Sequence, residues 1–425
     1  MRVVSILPPL TDNPMEHLDE DRFGFRPYVE ALDELVALAE PLPCVVGIFG
    51  PWGSGKSSFL RMWRSLIGTR SRTSQFNPWK YDQKVEVWAA LIQSILAELK
   101  ESTSSPQRIT ELARQIAWLT LRGGLSRGIG LATAGIINEK TVDKALDVIA
   151  DRDAKFYKFM NEYEYAFTKA VDEYVGEDGR LVVFVDDLDR CTPESALAVL
   201  EALKLFIGDA RCVFVLAMDF DLVAAAVGSK LGSHDPLNGA AYLEKIVQIP
   251  FFLPDVSFES LRVSVGQHVG GLAKNEAFWE LVQIGFGANP RRVKRYINVL
   301  NLATAILKLD DASQSGAKQR LQLAELLIIR SEHREFFRYL TKHPDAWLRL
   351  EEALTPPLKR GAVVTVDHDN LPGDLKRFAQ DEALLRLLGT KPGAYLDHPE
   401  AASETDTERM LGTVRLAVGP LEEQP

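Results

Sequence analysis

Cysteine is scarce: Cys44, Cys191 and Cys212 are the only three in 425 residues. That is too few for a disulfide framework, and each lies in or beside an apolar run. The chain is therefore expected to keep them as buried, reduced thiols in a cytoplasmic protein. Long apolar runs are lacking too. The least polar long window, 115–137, is broken by Arg122, Arg127 and several glycines, which leaves only 128–137 uncharged. A spanning helix needs about 20 apolar residues, so no membrane span is expected, and an amphipathic surface or partner helix is the reading left. The first ten residues hold too short an apolar run for a signal peptide, and acidic residues follow. Positive charge is in deficit, with 49 Lys and Arg against 59 Asp and Glu, a net charge of -10. General nucleic-acid binding, which needs a basic face to displace counterions, is disfavoured, although a local basic patch escapes that argument. No internal repeat or low-complexity tract is evident.

What remains is the composition of an ordinary globular protein, 46% apolar and 25% charged, in a chain long enough for two or three domains. Its centre is Gly50, Pro51, Trp52, Gly53, Ser54, Gly55, Lys56 and Ser57, which fit G-x-x-x-x-G-K-[ST], a phosphate-binding loop. The mostly apolar run Cys44–Phe49 before it reads as a buried parallel strand. After it, Phe59, Leu60, Met62, Trp63, Leu66 and Ile67 recur at helical spacing. Strand, glycine loop and helix in that order are the context the motif requires.

A second motif lies about 130 residues on. In 180–190 five apolar residues run into Asp186 and Asp187, followed by Asp189 and Arg190. This describes a buried strand that delivers carboxylates to its C-terminal edge, where α/β sheets bind ligands. One carboxylate is expected to hold magnesium (Mg) and the next to polarise an attacking water. A further strand, 212–218, ends in Asp219, which either senses the γ-phosphate or caps the next helix. Residues 242–250 are expected to add a last short strand. The alternation of strand and helix over 44–250 predicts an α/β fold with a doubly wound parallel sheet.

The lead-in, 1–43, carries a helix opened by Pro27. Arg22, Phe23 and Phe25 just upstream either lie against an adenine ring or, for the two phenylalanines, belong to the core. Residues 74–81 suggest a second strand ending in an aromatic turn. The stretch 100–178 reads as a mainly helical insertion into the core. Beyond 250 the pattern turns helical: a lid over 251–345, then an extension and acidic tail over 346–425. At 287–295 a turn signal starts a helix with Arg291, Arg292, Lys294 and Arg295. That run is a nucleic-acid patch, a solvated face, or the place from which Arg291 reaches back to a nucleotide.

Several separated motifs together are similar to one family. They are Asp21-Arg22 with Gly24, the glycine loop, Phe76-Asn-Pro-Trp-Lys-Tyr81, Asp186-Asp-Leu-Asp-Arg190, Tyr242-Leu-Glu-Lys-Ile-Val-Gln248, and Asn289-Pro-Arg291 with Lys294-Arg295. Over roughly residues 10–335 the chain resembles the KAP family of P-loop NTPases. The resemblance implies an ATPase of the additional-strand type with a helical lid and regulatory roles. Many members carry transmembrane helices in the interval filled here by 100–178. Bacterial members are similar to proteins of phage exclusion.

The expected site has the backbone N–H groups of Trp52 to Ser57, extended to Ser58, cradling the phosphates of ATP. Lys56 neutralises β/γ charge, and the Ser57 hydroxyl ligates magnesium with Asp186 behind it. Asp187 acts on the water; being one methylene shorter than the usual glutamate of this class, it implies slow hydrolysis. Asp189 shares the acidic role. Arg190 and Arg291 stabilise transition-state charge, in cis or from another subunit, unless Arg190 forms an ion pair with a neighbouring carboxylate. A protein partner, or a second copy of the chain, is the expected target. A scaffold that barely hydrolyses, or a nucleic-acid-responsive ATPase, is the alternative.

Overall fold

The computed structural model describes residues 7–68, 71–81, 87–102, most of 106–114, 164–176, 179–205, 209–230, 236–309, 314–355, 365–367, 371–390 and 404–418. The apolar window at 115–137, and most of the expected insertion, lie outside the described residues. The chain divides into two compact units, Pro14–Pro254 and Met1–Asn13 with Asp255–Pro425.

The first unit is built on a five-stranded parallel sheet of order β2-β3-β4-β1-β5. The strands are β1 (Cys44–Phe49), β2 (Arg72–Phe76), β3 (Leu181–Val185), β4 (Cys212–Met218) and β5 (Ile249–Phe252). Every residue of β1, β3 and β4 is buried, as continuous apolar runs covered on both faces should be. The outer strands β2 and β5 are only partly covered, which is why Pro250 is tolerated: its missing N–H falls on an edge. Strand β4 lies between β1 and β3, so the glycine-loop strand and the acidic strand are not neighbours but flank an additional strand. In this register Phe49 aligns with Met218, and Val185 with Leu216. Gly50, Asp186 and Asp219 thus leave the sheet at one edge.

Helices α1 (Arg26–Ala37), α2 (Lys56–Ile67) and α3 (Val87–Ser102) belong to this unit. In α2 the buried residues Phe59, Leu60, Met62, Trp63 and Ile67 form the stripe expected from sequence. Buried Asp33 of α1 accepts from the Trp63 indole N–H at 3.3 Å, which ties α1 to α2. The strand expected at 242–250 is corrected. Pro236–Ile246 is a helix, and the strand begins only at Ile249. Leu243 and Ile246 are buried three residues apart, a helical spacing. Gly239 lets this helix approach Phe220–Lys230 closely, since a Cβ there would lie 1.8 Å from the Ala224 carbonyl oxygen.

The second unit is mainly helical, with Phe258–Val265, Glu276–Phe286, Pro290–Leu307, Gln314–Glu332, Arg334–Leu340, Ala346–Glu352, Glu382–Gly389 and Glu404–Val418. Ser257, Asn275, Asn289 and Asp381 cap helices by accepting from backbone N–H groups three residues on. Within the stretch expected as an acidic tail, Glu404–Val418 is a helix that buries Met410, Leu411 and Val414. Leu10 joins this unit through a reciprocal pair of 2.8 Å hydrogen bonds with Asn298.

Candidate functional site

The loop after β1 owes its shape to glycine. Gly53 and Gly55 have φ of 87° and 105°, a left-handed region costly to residues with a Cβ. At Gly55 a Cβ would also stand 3.0 Å from the Phe25 ring. Gly55 is the N-cap of α2 and offers no side chain to its first N–H groups. Those donors, those of Lys56, Ser57 and Ser58 among them, together with the positive end of the helix dipole, suit an anion. Ser54 Oγ is buried with no hydrogen-bond partner, a second sign that the loop is shaped around an absent polar group. The Ser58 hydroxyl is already engaged, accepting from the Met15 N–H at 3.1 Å. Phe25 settles into the core, 1% exposed, with its ring edge-on to Phe59 at 5.7 Å; the adenine alternative does not apply to it.

Lys56 is buried beneath the loop. Its Nζ donates to the carbonyl oxygens of Gly50 at 2.8 Å and Pro51 at 3.3 Å, and pairs with Asp189 Oδ2 at 3.2 Å. The same Asp189 oxygen accepts from the Asp219 N–H at 3.0 Å. Asp219 in turn accepts from the Leu222 N–H at 3.3 Å and so caps the helix Phe220–Lys230. Of its two expected roles, capping is the one its contacts display.

Asp186 is buried and accepts from the Ser57 hydroxyl and, at 2.9 Å, from the Asp187 N–H. Burial raises its pKa above the ordinary carboxylate value, and the negative charges of Asp187 and then Asp189 add to the rise. The two hydrogen bonds only partly oppose this. An anionic pocket short of positive charge is one a cation would relieve. Ser57 and Asp186 therefore fit a magnesium ion. Among the described residues no group of three or more His, Cys, Asp or Glu could hold a metal by itself. That matches magnesium, which is commonly bound by one or two protein oxygens plus substrate phosphates.

Asp187 sits differently. Its backbone is left-handed, φ 62° and ψ 29°, a conformation that costs a non-glycine residue about 1–2 kcal/mol. Both of its carboxylate oxygens are held: Oδ2 accepts from Asn77 Nδ2 at 2.8 Å, and Oδ1 pairs with Arg190 Nη2 at 2.7 Å. The Arg190 guanidinium lies over the Trp79 ring, 5.2 Å from its centroid. The neighbouring-carboxylate ion pair weighed for Arg190 is thus the contact it makes. Asn77 was not singled out from sequence. It follows β2 directly and meets Asp187 only because β2 and β3 are adjacent in the sheet; its place in the Phe76–Tyr81 motif and its position at a strand's C-terminal end were the available signals.

Arg291 belongs to the other unit, in the first turn of Pro290–Leu307, with its Nε 3.5 Å from Asp12. Arg295 pairs with the same carboxylate at 3.1 Å, Lys294 donates to the Thr11 carbonyl oxygen, and Arg292 pairs with Glu332. All four basic residues of the run have acceptors inside their own unit.

A glycine loop leading into a helix, and an acidic strand set one strand away from it, define a P-loop NTPase of the additional-strand class. The KAP family P-loop domain matches residues 25–307, and this chain belongs to that family. Among its relatives, the phage T7 exclusion protein of Escherichia coli (strain K12) is 27% identical over 285 residues, which cover 61% of this chain and 37% of that protein. The human NTPase KAP family P-loop domain-containing protein 1 is 34% identical over 80 residues, 18% of this chain and 13% of that one. The chain matches well under half the length of these relatives. The Aeropyrum pernix ORC1 protein, solved in complex with DNA, overlays with a TM-score of 0.38 at 12% identity, covering 93% of this chain and 83% of that one. No helix among the described residues is long and apolar enough to cross a membrane.

Proposed function

We propose that this chain is a magnesium-dependent ATPase whose cycle changes the state of its helical unit and so controls a protein partner. The observation that carries the reading is the convergence at one sheet edge of Lys56, Ser57, Asp186 and Asp187, two from the loop and two from the acidic strand. The triphosphate lies against the N–H groups of Trp52 to Ser58 at the start of α2. Lys56 gives up Asp189 and the loop carbonyls for the β- and γ-phosphate oxygens. Ser57 and Asp186 would hold a magnesium ion, which would supply positive charge against the phosphate oxygens. Asp187 takes the proton of the attacking water, and Arg190 acts on the transferring group. A cytoplasmic setting suits the three free cysteines. Likeness to a phage exclusion protein supports a role in conflict with phage.

One observation favours a second reading. With both oxygens of Asp187 engaged, the chain would serve as a scaffold that binds ATP and hydrolyses it slowly. Steady-state turnover of Mg·ATP tests the first reading. Lys56→Ala and Asp187→Asn are each expected to lower turnover at least about a hundredfold, and full turnover in either variant sinks the assignment. A partner recovered with Asp187→Asn only when ATP is present would support control of that partner.

A further inference from the structure

The segment Phe76–Tyr81, expected as an aromatic turn and as one of the family motifs, reaches the Asp187 carboxylate both directly and through Arg190. Asn77 donates to Oδ2 of Asp187 and Arg190 holds Oδ1. Arg190 in turn rests on Trp79, which is 51% exposed in the short helical turn Pro78–Lys80. The base of the segment is firm, since Phe76 is buried and stacks on Tyr81 at 5.4 Å. Two details bear on how firmly the carboxylate is held. Asn77 Oδ1 is buried with no partner, so the amide is half satisfied as it stands. The Arg190 side chain is a third exposed, free to swing toward a stronger anion.

We propose that this segment is a latch on the hydrolytic carboxylate. Asn77 and Arg190 hold Asp187 away from the attacking water, and Trp79 is the exposed seat that keeps Arg190 in place. An incoming γ-phosphate competes for the guanidinium, which binds phosphate as readily as carboxylate. Once Arg190 leaves, Asp187 has a free oxygen for the water. Asn77 and Trp79 are thus positioning residues that set when Asp187 can act. The inference rests on the reading above, that Asp187 handles the water.

The test uses the full chain and magnesium, with a non-hydrolysable ATP analogue for binding and ATP itself for single-turnover hydrolysis. Binding is followed by calorimetry, and Trp79 emission is taken as the difference between the wild type and Trp79→Phe. The latch requires Trp79 emission to change on saturation with the analogue. It also requires Asn77→Ala and Trp79→Ala to raise the single-turnover hydrolysis rate about tenfold, the equivalent of one hydrogen bond to a charged group, with the analogue bound at least as tightly as by the wild type. Trp79 is exposed, so its variant keeps the rate test in hand if Asn77→Ala fails to fold. Analogue binding with unchanged Trp79 emission overturns the latch and leaves the ATPase reading standing. A slower rate in Trp79→Ala or a folded Asn77→Ala overturns it as well. No binding at all removes the ATPase reading and the latch with it.

Discussion

Both units of this protein bury charge, but they do so in different places and with different consequences. In the sheet unit, apart from Asp33 on α1, the buried charges are Lys56 and Asp186, with the covered side chain of Asp189 beside them, gathered where strands end and a helix begins. In the helical unit they are Arg320, Glu325, Arg330 and Glu351, on the helices Gln314–Glu332 and Ala346–Glu352. There Glu325 is 1% exposed, and its Oε1 has no hydrogen-bond partner. Burial pushes its pKa well above the ordinary range, and the nearby Glu351 carboxylate pushes it further. Glu351 accepts from the Trp347 indole N–H at 2.7 Å, and Arg320 donates to Asn301 at 2.9 Å. A shifted carboxylate alone therefore does not mark a ligand site. What separates Asp186 from Glu325 is its setting: helix N–H donors and a buried lysine at the C-terminal edge of a sheet.

That contrast can be broken or sharpened by experiment. The largest effect is expected from Asp189→Ala, which leaves Lys56 buried without its carboxylate. Chemical denaturation without nucleotide should show a loss of about 3–5 kcal/mol. Mg·ATP should restore much of it, because phosphate replaces the lost counterion. A variant that nucleotide fails to rescue would mean that the charges at the sheet edge are as fixed as those in the helices.

Glu325→Gln should act in the opposite direction. A carboxyl whose native pKa is raised holds its proton more tightly when folded. Its contribution to stability is complete below the ordinary value of 4.5 and is lost as pH rises through the raised native value. Gln cannot ionise, so the variant should be more stable than the wild type at pH 8 and match it near pH 4. Denaturation midpoints at the two pH values would show it, and an equal change at both would remove ionisation as the cause. The smallest effect belongs to Arg292→Ala. Its ion pair with Glu332 is part-exposed, the two side chains 39% and 28% in solvent, so the change in stability should stay within about 1 kcal/mol and shrink at high salt.

The parts legible in the sequence were local ones. The strand Cys44–Phe49, its glycine loop and α2 were all readable, because glycine conformation and hydrophobic period act on consecutive residues. Asp186 and Asp187 could be placed at a strand end for the same reason. The helix Pro236–Ile246 was read in part as a strand, since an apolar run that short satisfies either period. Phe25 stayed undecided because a buried ring and a ring facing a ligand have the same sequence signature.

By itself, then, the sequence determined that a phosphate loop and an acidic strand exist, since each is written in contiguous residues whose backbone preferences are strong. Only the tertiary structure decided how they are joined. Placing β4 between β1 and β3 brings Lys56 to Asp189 and Ser57 to Asp186. Setting β2 beside β3 brings Asn77 to Asp187 across 110 residues of chain. The physical reason is that strand order and register are set by the packing of the whole sheet and its helices. No local preference encodes which strand edge a polar side chain will share.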